Sequence, residues 1–171
     1  HQSKARIDFC EHVSRYDAVY AAMMDRCYWN YLRLIVPNGA ELSSYPPIVV
    51  PGAYLLRGRP SDDGIAVEKI NDARKSWGQL FLLAPGDSAT LKYTYRLPAG
   101  MARQLRDGWQ YRLLLQKQPG LRTLPVSLNV QLPDGMELRA SDPRPSLVDG
   151  QSLHYDLTLN GDQPVRVEYG P

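Results

Sequence analysis

The feature that most constrains this chain is a period of two. In residues 90–97 the apolar Leu91, Tyr93, Tyr95 and Leu97 alternate with Thr90, Lys92, Thr94 and Arg96. Val126, Leu128, Val130 and Leu132 do the same against Ser127, Asn129 and Gln131, and so do Leu153, Tyr155, Leu157 and Leu159 and then Val165, Val167 and Tyr169. Successive side chains of a strand point to opposite faces, so each segment sets one face on a core and the other in water, as antiparallel sheets do. Residues 31–36 form a nearly continuous apolar strand ended by Pro37-Asn38-Gly39, and 48–50, 65–70, 79–83 and 111–116 are less regular strand candidates. Pro85-Gly86-Asp87 and Asn160-Gly161-Asp162 read as hairpin connections between their flanking strands. About nine short strands with frequent turn signals predict an all-β fold, an antiparallel β-sandwich.

Only one segment has a helical period. Val19, Tyr20, Met23, Met24 and Cys27 share one face at spacings of three and four, and Ser14 with Asp17 resembles a capping box. The pattern predicts one short helix near the N-terminus, at 15–26. The two cysteines, Cys10 and Cys27, bracket it. They are either a disulfide or two buried thiols, and the intervening segment is short and polar for burial alone to hold it. A disulfide would pin the helix against the strand at 31–36 and imply an oxidising compartment.

Leu32-Arg33-Leu34-Ile35-Val36-Pro37-Asn38-Gly39-Ala40-Glu41-Leu42 echoes Leu128-Asn129-Val130-Gln131-Leu132-Pro133-Asp134-Gly135-Met136-Glu137-Leu138. Each is a strand, a Pro-Asn/Asp-Gly turn and a Glu-Leu restart. The expected organisation is a sandwich module with the helix over 1–100, then 101–171 as its continuation or as a second, related Ig-like module. The chain opens at His1 without an initiator Met, which reads as a processed or excised end. Ala5, Ile7 and Phe9 alternate with Lys4, Arg6 and Asp8, so 4–9 reads as the end of a strand.

Little in the chain points to chemistry. Twenty Lys+Arg against 18 Asp+Glu leave a net charge of +2, no field for nucleic acid or an anionic membrane. His1, His12 and His154 lie in no nucleophile context, and neither G-x-S-x-G nor H-E-x-x-H occurs. Two thiols and sparse histidines do not make a closed zinc site, and Asp62-Asp63-Gly64 reads as a turn rather than a calcium loop. Carboxylates brought together from distant strands are the catalytic arrangement that sequence leaves open. Arg57 and Arg59 around Gly58 read as loop charge. Trp29, Trp77 and Trp109 are core aromatics by default and candidate stacking surfaces for a sugar otherwise. Lys117, in Gln116-Lys117-Gln118-Pro119-Gly120, is a candidate partner contact within an ordered turn. No cofactor, metal ligand or catalytic residue is assigned.

Three runs are distinctive: Met23-Met24-Asp25-Arg26-Cys27-Tyr28-Trp29-Asn30-Tyr31-Leu32-Arg33-Leu34-Ile35-Val36-Pro37-Asn38-Gly39; Gly78-Gln79-Leu80-Phe81-Leu82-Leu83-Ala84-Pro85-Gly86-Asp87-Ser88; and Leu113-Leu114-Leu115-Gln116-Lys117-Gln118-Pro119-Gly120. In that order they resemble the C-terminal β-rich region of the domain-of-unknown-function family four-zero-one-two, uncharacterised bacterial envelope proteins. The resemblance implies a place outside the cytoplasm and a membrane anchor in a part not present here. It supplies no activity and no catalytic residues. The reading that follows is a non-catalytic extracytoplasmic domain of a bacterial cell-envelope or surface protein, a spacer or protein-interaction module. Its partners would be the rest of its own precursor or other envelope subunits. The alternative is a carbohydrate-binding module using exposed Trp or Tyr.

Overall fold

A computed structural model describes residues 5–7, 9–10, 19–62, 64–120 and 122–171. The chain divides into two compact units, His1–Pro98 and Ala99–Pro171. The described residues form an all-β, antiparallel structure with one five-residue helix and one 3-10 turn.

In the first unit, α1 (Tyr20–Met24) is followed by β1 (Tyr28–Pro37), β2 (Glu41–Ser44), β3 (Ala66–Lys69), β4 (Arg74–Leu83) and β5 (Thr94–Arg96). β4 lies between β1 and β3, and β2 pairs with β5. Val36, Ala40 and Trp77 are buried between the two sheets, with Leu34, Leu42, Ile65 and Leu97 packed around them. In the second unit, β6 (Arg103–Leu105), β7 (Gly108–Leu115), β8 (Leu124–Gln131), β9 (Glu137–Asp142), β10 (Leu147–Asp149), β11 (Ser152–Leu159) and β12 (Gln163–Gly170) follow. One sheet is ordered β10-β11-β8, the other β6-β7-β12-β9. Leu132, Leu153 and Tyr155 from the first sheet's side meet Val165 and Val167 from the second. That is a sandwich: two inner faces of alternating apolar residues closing on one another.

The sequence echo marks a repeated topology. β1 runs through its Pro-Asn-Gly turn into β2 in the other sheet, and β8 runs through Pro-Asp-Gly into β9 likewise. The same turn bond closes both, Ala40 N–H to Pro37 O at 2.9 Å and Met136 N–H to Pro133 O at 3.1 Å. Registers coincide as well. Leu34 faces Trp77, which faces Val67; Val130 faces Leu153, which faces Val148. Leu42 faces Tyr95 and Leu138 faces Tyr169, and one residue further on each ladder is interrupted, so that Ser44 faces Thr94 and Ala140 faces Glu168. A bulge is a specific local device, and its recurrence at matching positions identifies β1–β5 and β8–β12 as one module used twice.

Several expectations change. The helix ends at Met24, short of the expected 26, because Cys27 is held by the disulfide and β1 begins at Tyr28. Residues 15–18 of that segment, and its Ser14–Asp17 cap, lie outside the described residues, as do His1, His12 and Asp63. Of the strand expected at 4–9, the described Ala5, Arg6, Ile7 and Phe9 belong to no strand; Phe9 instead packs edge-on against Tyr54 at 4.8 Å. Residues 48–50 are not a strand either. Pro46, Pro47 and Pro51 remove ladder donors on both sides, and Val50 donates its N–H to Ser61 Oγ at 2.7 Å. Neither expected hairpin exists. The Pro85-Gly86-Asp87 and Asn160-Gly161-Asp162 turns carry the chain from one sheet to the other, so β4 and β5, and β11 and β12, do not pair.

Candidate interaction surfaces

Cys10 and Cys27 form a disulfide with Cα atoms 5.6 Å apart. It ties the segment ahead of α1 to the residue before β1, and it fits an oxidising, extracytoplasmic setting.

The three tryptophans occupy different environments. Trp77 is 4% exposed, so its ring is core and not a stacking surface. Tyr95 meets the ring edge-on at 5.6 Å, and Lys75 Nζ stands 5.3 Å from its centroid. Trp29 is half-buried on β1, across from Leu82. Trp109 is half-buried on β7 and stacks on Tyr169 at 6.2 Å. With Gly100, Ala102, Pro133 and Met136 these two line an open pocket of about 290 Å³. Its walls are more apolar than polar. That is stacking area without the convergent polar groups that fix a ligand's orientation.

Gly108, at the start of β7, makes the close approach behind Trp109 possible. Its φ is 153°, and a Cβ there would fall on the Tyr169 carbonyl oxygen, so no side chain fits.

Lys117 lies between β7 and the turn at Pro119-Gly120. Its backbone N–H donates to Asp162 Oδ1 at 2.9 Å, tying the 116–120 loop to the Asn160-Gly161-Asp162 turn. His154 sits on the outward face of β11 with Nδ1 2.6 Å from Asn129 Oδ1, a cross-strand polar pair. Among the described residues, no group of three or more His, Cys, Asp or Glu side chains is placed to hold a metal ion.

Sequence reasoning missed the polar link in the first unit's interior. Tyr93 donates its hydroxyl to Gln79 Oε1 at 2.7 Å, and Gln79 Nε2 donates to Pro46 O at 2.8 Å. Gln79 is 3% exposed, and burial raises the Tyr93 pKa above its ordinary value. A glutamine at an inward position of a strand was the available signal, since alternation alone assigns it to the core side.

Comparison with protein-family models, with curated proteins and with solved structures finds no match.

Proposed function

We propose that this chain is a non-catalytic, extracytoplasmic part of a bacterial cell-envelope or surface protein, a spacer or protein-interaction module within an assembly. The observation that carries the reading is the repetition itself: one small sandwich module is used twice, the first copy stapled by a disulfide. Sandwich modules of this kind recur in cell-surface proteins, where rigid sheets present loops and edges to partners. The resemblance of the 23–39, 78–88 and 113–120 runs to the envelope family supports the compartment and the bacterial source.

The test is made in cells, on the full chain in its natural context. Thiol trapping should find Cys10 and Cys27 oxidised, and the chain should fractionate with the envelope. Reduced thiols and recovery from the cytoplasm would refute the compartment. Lys117→Ala should leave folding and association unchanged, because the loop is held through a backbone N–H. Loss of association in that variant would make the 116–120 loop the contact surface. The carbohydrate reading rests on the Trp109–Tyr169 wall, and glycan binding abolished by Trp109→Ala would establish it in place of the protein-contact reading.

A further inference from the structure

The repeat leaves one strand position filled in the second unit and, among the described residues, open in the first. In the second, β12 pairs with β9 on one side and β7 on the other. In the first, β5 pairs with β2, and among the described residues nothing pairs with its far edge. The shared register makes Tyr95, Tyr93 and Leu91 the counterparts of Tyr169, Val167 and Val165. β7 lays Trp109, Tyr111 and Leu113 against those three, and Val165 and Val167 are 2% and 0% exposed. Without such a strand Tyr95 is 42% exposed, and Leu91 and Tyr93 are only half-buried. Residues 90–93 continue the alternation but lie outside β5. An edge of this kind is a template for strand addition.

The chain ahead of β1 does not repeat β7. Counting back from the matching Leu32 of β1 and Leu128 of β8, Trp109, Tyr111 and Leu113 correspond to Val13, Arg15 and Asp17. Two charges would then face the core.

We propose that the 91–95 edge of the first unit binds an extended strand from a separate polypeptide, antiparallel, as β7 binds β12. The proposal deepens the interaction-module reading and rests on it. Backbone hydrogen bonds supply affinity, and alternate side chains supply selectivity. The incoming strand carries an aromatic residue opposite Tyr95 and apolar residues opposite Tyr93 and Leu91. Between the last two it carries an acidic residue, because the exposed Lys92 stands there. Opposite charges across a strand pair are favourable, like charges unfavourable.

The test uses the full chain and a synthetic peptide with the β7 sequence, residues 108–115, carrying Arg112→Glu. Amide hydrogen exchange at 91–95 should slow at least tenfold with saturating peptide, while β7 and β12 are unaffected. The peptide that keeps Arg112 should bind more weakly, and a scrambled peptide without alternation should not protect. Unchanged exchange at 91–95, or equal protection by the scrambled peptide, overturns the proposal. Concentration-dependent protection of 91–95 without peptide also overturns it, by making a second copy of this chain the occupant. Peptide failure in a chain that still associates with envelope protein sinks the edge assignment alone. Peptide protection of a chain found reduced in the cytoplasm sinks the functional reading and leaves the edge standing.

Discussion

The two units share a topology and differ in how each completes its core. In the second, four of the five residues of the buried core cluster are Leu153, Tyr155, Val165 and Val167, at most 2% exposed, and β7 covers the flank of β12. The corresponding inward pairs of the first unit are Trp77 with Gln79 and Leu91 with Tyr93. The second unit sets its interior hydroxyl on β11, where Tyr155 Oη lies 2.8 Å from Ser141 Oγ. The first sets its own near β5, where Tyr93 meets Gln79. One unit closes with an added strand and hydrocarbon; the other uses a larger indole, a polar link and a disulfide. A shared backbone scheme therefore tolerates exchange of the aromatic from one sheet to the other, provided its hydroxyl finds a partner.

The largest effects should come from the equivalent core positions. Trp77→Ala should destabilise the first unit by about 3–5 kcal/mol and Leu153→Ala the second by about 2–5 kcal/mol. Unit-resolved hydrogen exchange reads each loss, and indifference at either position would break the equivalence of the two cores. Next is the disulfide. Its reduction should cost the first unit about 3 kcal/mol in the chain-entropy account, with the cysteine-free second unit as internal control. Denaturant titration with and without reductant measures it.

Tyr93→Phe should cost about 1–2 kcal/mol by leaving Gln79 Oε1 unpaired. It also carries a pH signature. Burial raises the Tyr93 pKa above that of the unfolded chain, so the folded state holds its phenolic proton more tightly. The contribution is fully present below the unfolded value of about 10 and is lost as pH rises through the folded value. Alkaline denaturation should therefore begin earlier in the parent than in the phenylalanine variant, relative to their stabilities at neutral pH. Identical alkaline profiles would remove the Tyr93 phenol from the account.

The smallest contrast is between two serines. Ser76 is 1% exposed and its Oγ has no hydrogen-bond partner among the described residues, whereas its counterpart Ser152 donates to Gln131 Oε1 at 2.5 Å. The difference follows from the facing residue, since Gln131 is replaced by Ile35 across from Ser76. Ser76→Ala should be neutral or stabilising by about 1 kcal/mol, and Ser152→Ala should destabilise by about 0.5–1 kcal/mol. Thermal melts of the pair would show whether the signs are opposite.

How far the sequence reveals this structure depends on burial. β8, β11 and β12 were legible because each has one buried face, and Val165-Arg166-Val167 states that plainly. β9 was not, since Glu137-Leu138-Arg139-Ala140-Ser141-Asp142 is mostly exposed and carries three charges. β2, β6 and β10 are of four residues or fewer, too short to establish a period. Residues 48–50 misled because apolar content outweighed the surrounding prolines. The echo between 32–42 and 128–138 was visible, and it led to the shared module. The open edge was not visible, because 90–97 looks like any half-buried strand until its neighbours are known. Trp77, Trp29 and Trp109 could not be separated either, since burial of a single aromatic is decided by the facing strand.

The sheet-switching turns have a kinetic consequence. In the first unit only β3 and β4 are neighbours in both sequence and sheet; β1 must wait for β4, and β2 for β5. Little of the ladder can zip from a local turn, and most of the chain's loop-closure entropy is spent before the first non-local pairing is rewarded. Folding of the first unit is then slow and concerted, with the pairing of β1 with β4 as the step that commits the rest.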